Sequence, residues 1–409
     1  KKQQTCDMVA SENHIESTCF ECSQKALYKE EDNMSDYDFG KAAREYIDEA
    51  LRKQGRVNIL VCGKTGVGKS TLINAVFAGN LATTGQGRPV ATEIREIKKE
   101  GIPVSIFDTK GIELVSHEDD LRELIDFVRR RKNEEDPHRH IHVTWLCISE
   151  DSRRVEEMET RLAQELAEHI PVITVITKAR SDNGFRAVVQ RLIPTARNVV
   201  RVRALAETLD DGHRLEPFGL EELVDLTNEV VPEGQRAAFI AAQKVSLDQK
   251  RSAARKKIIE SAVAAAGFAA TPVPFAHALG LIPIQVAMLA RISVAYGLSM
   301  DKAMLGTVVS STIGTVLATA GGRALVGELI KLVPGAGAVV GGLINAGVAS
   351  GVTTTFGTAY STALHYLLKE DPNREITPEE VVARFKQELR LVKVGSRESA
   401  ASVDDGEDS

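Results

Sequence analysis

The stretch VNILVCGKTGVGKSTLIN, residues 57–74, limits the fold more than any other part of the chain. A short apolar, β-branched run leads straight into a loop holding Gly63, Gly66 and Gly68. A helical pattern follows from Lys69 to about Phe77. A buried strand that passes through glycines into a helix opens a crossover unit. The helix has to carry the chain back over the sheet before a parallel strand can form.

The pattern repeats downstream. TEIREIK (92–98), PVSIFDT (103–109), HVTWLCIS (142–149), PVITVIT (171–177) and NVVRVRA (198–204) read as strands, with helical patterns at 118–133 and 153–169. Apolar strands that alternate with helices predict an α/β domain: a mostly parallel sheet with helices on both faces. A preceding amphipathic helix, DFGKAAREYIDEALRKQ (38–54), is placed with this domain, which closes near VVPEGQR (230–236). The expected division is therefore a polar, disordered leader over 1–37, the α/β domain over 38–235, an all-α domain over 236–395, and an acidic disordered tail over 396–409. The leader holds Cys19 and Cys22 at CxxC spacing, with Cys6 and His14 nearby. A zinc site needs a second ligand pair, so it reads as a polar tail. Cys62 and Cys147 fall inside core strands, where a free thiol behaves as a small hydrophobe. A net charge of −6 argues against nucleic acid as the partner, because binding phosphates requires a basic field. The start shows no signal-peptide pattern, and a reducing cytoplasm suits the cysteines.

The loop carries the chemistry. Gly63, Gly68, Lys69 and Ser70 meet G-x-x-x-x-G-K-S between a strand and a helix, the context this phosphate-binding motif requires. Glycines let backbone N–H groups turn inward, and the helix N-terminus adds partial positive charge. Nucleotide contacts are expected from Gly63, Lys64, Thr65, Gly66, Val67, Gly68, Lys69, Ser70 and Thr71. Lys69 reaches the β- and γ-phosphates, and Ser70 gives Mg²⁺ a hydroxyl ligand. SIFDTKG places Asp108 at a strand end with Gly111 three residues on. Asp108 is expected in the Mg²⁺ shell and the Gly111 amide at the γ-phosphate. In the intervening GRPVATEI, Thr92 is expected to ligate Mg²⁺ only with the γ-phosphate present; Thr84 is the alternative.

Taken together, GKTGVGKSTLIN, DTKG, and TK after a strand resemble the translation-factor-related GTPases, most closely the Era-like and immunity-related branches, over residues 56–232. The resemblance implies GTP and GDP with Mg²⁺ as ligands, hydrolysis of GTP, and a base-reading motif [N/T]-K-x-D. Thr177 and Lys178 match that motif, but Arg180 stands in the aspartate's place and Asp182 follows two residues later. Either the loop bulges to bring Asp182 to the base, or guanine selectivity is relaxed; the bulge is the expectation. The last base-contacting segment, S-A-K in relatives, has only RALAE (203–207) to offer. Ile112 follows Gly111 where many switch GTPases carry a water-orienting Gln, so hydrolysis should be slow unless a partner or second protomer supplies the group. Gly66 replaces the Asn of potassium-activated relatives, so potassium stimulation is not expected. Trp145 reads as core; Lys64, Arg153 and Arg154 read as solvated charges.

The remaining half has a different character. Lys244, Lys250, Arg251, Arg255, Lys256 and Lys257 precede three stretches without Asp, Glu, Lys or Arg, at 261–290, 303–322 and 332–368, rich in Ala, Gly, Thr, Ser and Val. Gly306, Ser310, Gly314, Ala318 and Gly322 lie four apart, as do Ala338, Gly342, Ala346, Ser350 and Thr354. Such small-residue ridges let helices approach closely, as membrane pairs do. LVPGAGA (332–338) should break the helix between them, and His277 and His365 read as packing residues. Pro272, Pro274 and Pro283 should interrupt the first apolar stretch. Thr377, Pro378 and Glu380 form the N-cap, first residue and capping box of a last helix. Residues 258–370 resemble a domain of unknown function found after G domains and in bacterial inner-membrane proteins. The expected protein is a cytoplasmic, membrane-associated GTP switch, with lipid and a homodimer or partner protein as further contacts. The alternative is a nucleotide-binding scaffold with little turnover that assembles through small-residue helices.

Overall fold

The computed structural model describes residues 38–78, 81–84, 86–91, 94–109, 118–270, 277–298, 306–312, 346–372 and 376–404. The cysteines and histidine of the leader, Thr92, Gly111, Ile112, Pro272, Pro274, and the small-residue series from Gly314 to Gly342 lie outside these residues.

The amino-terminal half runs α1 (Phe39–Gln54), β1 (Val57–Cys62), α2 (Lys69–Val76), α3 (Leu81–Thr84), β2 (Gln86–Ala91), β3 (Ile94–Lys98), β4 (Val104–Thr109), α4 (Glu118–Lys132), β5 (Val143–Ser149), α5 (Glu157–Ala167), β6 (Val172–Thr177), α6 (Phe185–Leu192), β7 (Asn198–Arg201), β8 (Glu207–Thr208), β9 (Arg214–Leu215), α7 (Leu220–Val230) and α8 (Glu233–Ala242). Seven strands form one sheet in the order β2-β3-β4-β1-β5-β6-β7. β4, β1, β5, β6 and β7 are mutually parallel, whereas β3 joins β4 antiparallel and β2 pairs antiparallel with β3 at the edge. The strand at 86–91 was not expected, because Gly87, Arg88 and Pro89 in succession break the alternation. An edge strand tolerates such a proline.

β1 is buried at every position, so both sheet faces need cover. Val57, Ile59 and Val61 face a cluster with Leu72, Ile73 and Val76 of α2, Leu223 and Val224 of α7, and Phe239 of α8. Leu60 and Cys62 face the opposite cluster, built from Leu121, Leu124 and Val128 of α4, Leu162 and Leu166 of α5, and Val189 of α6. The charges of α4 are ordered with its dipole, Glu118 to Asp120 in the first turn and Arg129 to Lys132 in the last. The pattern expected from 153 starts as α5 only at Glu157, after a 3₁₀ turn at Glu150–Ser152.

The carboxyl-terminal half is helical: α9 (Leu247–Ala269), α10 (His277–Tyr296), a helical segment at 306–312, α11 (Ala346–Glu370) and α12 (Pro378–Asp404). α9 stops shortly before Pro272, yet α10 continues through Pro283. Ile258 of α9, Met288 and Ile292 of α10, Phe356 and Tyr360 of α11, and Phe385 of α12 share one core. Phe385 stands edge-on to Phe356 at a centroid distance of 5.0 Å. Ala43 and Ile47 place α1 in this core, not against the sheet with which its position in the sequence had grouped it. The small-residue ridge of α11 is also displaced. Thr354 is exposed, and the buried series is Ala349, Thr353, Gly357 and Ser361. A Cβ on Gly357 would lie 2.7 Å from Met288 Sδ and 2.8 Å from Ile258 Cγ1, so α9, α10 and α11 meet there without a side chain between them. Thr377 and Glu380 form the expected capping box: the Thr377 amide donates to Glu380 Oε2 at 2.9 Å and the Glu380 amide to Thr377 Oγ1 at 3.4 Å.

The two halves join through the end of α2. Phe77 forms a β-bridge with Gln243, and the Lys244 amide donates to Val76 O at 2.8 Å. Beside it, buried Lys250 donates to Ala241 O at 2.6 Å and Tyr296 O at 2.8 Å. Its ammonium therefore caps the carboxyl ends of both α8 and α10.

Candidate nucleotide site

The loops that could hold a ligand gather at the carboxyl edge of the parallel strands, where open α/β sheets place their crevices. β1 ends at Cys62 and the chain turns through Gly63, with φ 144°, and Gly68, with φ 101°, before α2 begins at Lys69. A Cβ on Gly63 would lie 2.5 Å from Cys147 O, so both the space and the backbone angle demand glycine. Lys69 is buried at 8% exposure, and its ammonium donates back into the loop, to Gly63 O at 2.6 Å and Lys64 O at 3.1 Å. A buried cation held by loop carbonyls is well placed to exchange them for an anion. Thr65 and Gly66 are exposed, Val67 is buried, Ser70 is exposed at the first turn of α2, and Thr71 is half-buried.

Asp108 lies at the end of β4, beside Val61 in the register of β1. Its Oδ1 is buried without a hydrogen-bond partner. Burial raises its carboxyl above the ordinary value, against the opposing pull of Lys69 and Arg95. An orphaned carboxylate oxygen beside a buried lysine is costly alone, and it suits a hydrated divalent cation. Ser70 and Asp108 therefore fit Mg²⁺, and the glycine cradle with Lys69 fits a polyphosphate. Thr84 ends α3 in the backbone, and its side chain lies outside the described residues, as Thr92 and Gly111 do.

Lys64 and Glu156 form an ion pair at the head of α5, which holds the Glu156 carboxyl below its usual range. The solvated lysine of the sequence reading thus has a fixed partner across the loop. Thr177, at the end of β6, donates to Val67 O at 2.6 Å. The first residue of the base-reading motif is therefore a brace for the phosphate loop.

The 178–182 loop rests on a carboxylate that the sequence reading passed over. Glu150 is 1% exposed, and its Oε2 accepts from the amides of Arg180 at 2.6 Å and Ser181 at 2.9 Å. Its Oε1 accepts from Arg201 Nε at 2.7 Å. Arg153, read as a surface charge, instead donates to Asp182 O at 2.6 Å and to Ser181 O, with its guanidinium over the Phe185 ring. Lys178 is exposed at φ 53°. Asp182 Oδ1 accepts from the Arg186 amide at 2.8 Å and lies 3.5 Å from Arg201 Nε, so its side chain caps α6. Arg180 reaches the other way and pairs with Glu207. The only sequence signal for Glu150 was an acid directly after an apolar strand, with Arg201 at the end of β7. Trp145 is core as expected: it is fully buried, stacks on Phe77 at 5.7 Å and donates to Thr227 Oγ1 at 3.1 Å.

A mostly parallel sheet whose first strand turns through such a loop into a helix, with a carboxylate at the neighbouring strand end, defines a P-loop nucleotide-binding domain. Residues 58–178 match the family described as 50S ribosome-binding GTPase, and residues 235–390 match the domain of unknown function DUF697. The chain thus carries a G domain followed by a DUF697 domain. It is 31% identical over 145 residues to the tRNA modification GTPase MnmE of Janthinobacterium sp., covering 35% of this chain and 30% of that protein. It is 27% identical over 157 residues to Magnetosome membrane protein 22 of Magnetospirillum gryphiswaldense, covering 37% and 79%. Cell division control protein 10 of Candida albicans is 26% identical over 162 residues, covering 33% and 45%. The chain spans less than half the length of the cell-division and tRNA-modification relatives. A solved structure of a probable GTP-binding protein engB covers 42% of this chain and 98% of its own at 20% identity, with a TM-score of 0.29.

Proposed function

We propose that this chain is a GTP-binding switch that hydrolyses GTP slowly and passes its nucleotide state to a membrane-associated helical half. The observation that carries the reading is the pairing of buried Lys69 with the partnerless Asp108 oxygen at the carboxyl edge of the sheet. The backbone of Gly63 to Thr71 cradles the phosphates, and Lys69 neutralises charge that builds up on them. Ser70, Asp108 and Thr92 are the residues that would hold Mg²⁺, which when bound adds positive charge between the phosphates. Thr92 and the Gly111 amide sense the γ-phosphate. Thr177, Lys178 and a carboxylate from the neighbouring loops face the base. Because Ile112 cannot orient water, a second copy or a partner protein supplies that group.

The eight residues of α2 connect the site to the rest of the molecule. Lys69 lies at its first turn, and about 12 Å away Val76 and Phe77 are bonded to residues 243 and 244. A shift at the phosphates therefore has a rigid route to α9. Two features favour contact with a membrane. Ile259 and Val263 are exposed on α9, one and two turns beyond the exposed cations Arg255 and Lys256, an arrangement suited to an anionic surface. One relative is also named a membrane protein. Among the described residues, no helix is long and apolar enough to cross a membrane.

Single-turnover GTP hydrolysis, followed at rising protein concentration with and without anionic vesicles, tests the reading. The expected rate alone is on the order of 10⁻² s⁻¹ or less, rising with protein or vesicles. Fast turnover by dilute protein, or none under any condition, contradicts it.

A further inference from the structure

We infer that Glu207, held by Arg180, is the carboxylate that reads the guanine base. The inference rests on the guanine-nucleotide reading above. Guanine presents N1–H and N2–H₂ donors on its pairing edge, so a selective site must offer an acceptor. An arginine has only donors, and alone it would oppose them. Arg180 occupies the fourth position of the motif, where the acceptor belongs.

Glu150, Asp151, Asp182, Glu207 and Asp210 lie near the loop, and of these Arg180 holds only Glu207 through both oxygens. Glu150 is buried, with its oxygens taken by the Arg180 and Ser181 amides and by Arg201. Asp182 caps α6 through the Arg186 amide and leans on Arg201. Asp151 approaches Arg180 only to 3.8 Å. Glu207 accepts from Arg180 Nε at 2.9 Å and from Nη2 as well, so the guanidinium grips both oxygens and fixes their orientation. An ionised carboxylate has about four lone-pair sites. The arginine takes two, leaving one on each oxygen for the paired N1–H and N2–H₂.

Position agrees with this chemistry. Glu207 closes RALAE, the segment after β7, and opens β8 beside the Arg180 loop. Leu205, two residues earlier, is 63% exposed and offers an apolar surface that a purine would cover. The reading function is thus divided: lysine from the loop after β6, carboxylate from the loop after β7, and Arg180 as the positioning residue between them.

Competition binding of GTP, XTP and ATP to the full chain, for wild type, Glu207→Gln, Arg180→Ala and Asp182→Asn, tests the assignment. Xanthine replaces the N2 amine with a carbonyl, which a glutamine amide can donate to. Wild type should prefer GTP over both rivals by about tenfold or more, roughly 1.4 kcal/mol. Glu207→Gln should reverse the GTP/XTP order, a gain of binding that mere loosening of the loop cannot produce. Arg180→Ala should weaken GTP selectivity, and adding it to Glu207→Gln should cost little more. An unchanged GTP/XTP ratio in Glu207→Gln, or a reversal in Asp182→Asn instead, overturns the assignment and leaves the guanine reading standing. Equal binding of ATP by wild type overturns both.

Discussion

The glycine loop after β1 and the loop after β6, the proposed phosphate and base ends of the site, lie at the same edge of one sheet, yet they are held in different ways. At the phosphate end the restraint is backbone. Gly63 and Gly68 adopt positive φ, Gly63 packs against a neighbouring carbonyl, and Lys69 bonds to the loop itself. At the base end the restraint is side-chain charge. Glu150, Arg153, Arg180, Arg201 and Glu207 hold a loop whose own sequence departs from the family pattern. A backbone restraint prescribes residue type and spacing, so it can be read from the sequence. A recognition task that needs only an acceptor at one place can move to another strand's loop. Thr177 is the physical link between the two ends.

Four substitutions probe this contrast. The largest effect is expected for Glu150→Ala. It leaves Arg201 and two loop amides without their shared acceptor and should cost about 3–5 kcal/mol, read by denaturant unfolding. A cost below about 1 kcal/mol would mean that the buried network is not what holds the base loop. Gly63→Ala comes next. Strained φ plus a Cβ against Cys147 O should remove about 2–4 kcal/mol, together with nucleotide binding, and a stable variant that still binds would refute the backbone account. Thr177→Val should cost about 1–2 kcal/mol and weaken nucleotide binding through the phosphate loop. Unaltered hydrogen exchange at Val67 and Gly68 would deny the brace.

The smallest effect concerns pH. Burial raises the Asp108 carboxyl in the folded chain, so the charged form disfavours the nucleotide-free fold. The stability this group contributes is therefore present at low pH and lost as pH rises through its raised pKa. Asp108→Asn should stabilise the nucleotide-free protein at neutral pH and flatten that dependence, while Mg²⁺-dependent binding falls. Thermal unfolding between neutral and mildly acidic pH, in wild type and variant, checks the sign.

Much of this was legible in the residues, for physical reasons. The strand, glycine loop and helix at 57–76 could be read because only glycine fits those angles, and the capping box at Thr377 because its partners are three residues apart. What escaped reading depended on distant partners. Nothing local tells that Ala43 and Ile47 of α1 pack with α9 to α12, or that Arg153 crosses to the 181–182 carbonyls. The ridge of α11 was misplaced because Ala, Gly, Ser and Thr recur there at several helical phases. Only Met288 and Ile258 of the neighbouring helices select the phase of Gly357. β2 was hidden by Pro89, which an edge strand accepts and a sequence pattern does not.

The Lys69 loop and its neighbours are expected to bind a guanine nucleotide. Equilibrium competition of GTP, GDP and ATP with Mg²⁺, on the full chain and on Lys69→Ala, tests it most directly. GTP and GDP should each outbind ATP by about tenfold or more, and Lys69→Ala should lose about two decades of affinity for both. ATP binding as well as GTP, or Lys69→Ala binding like wild type, would contradict it.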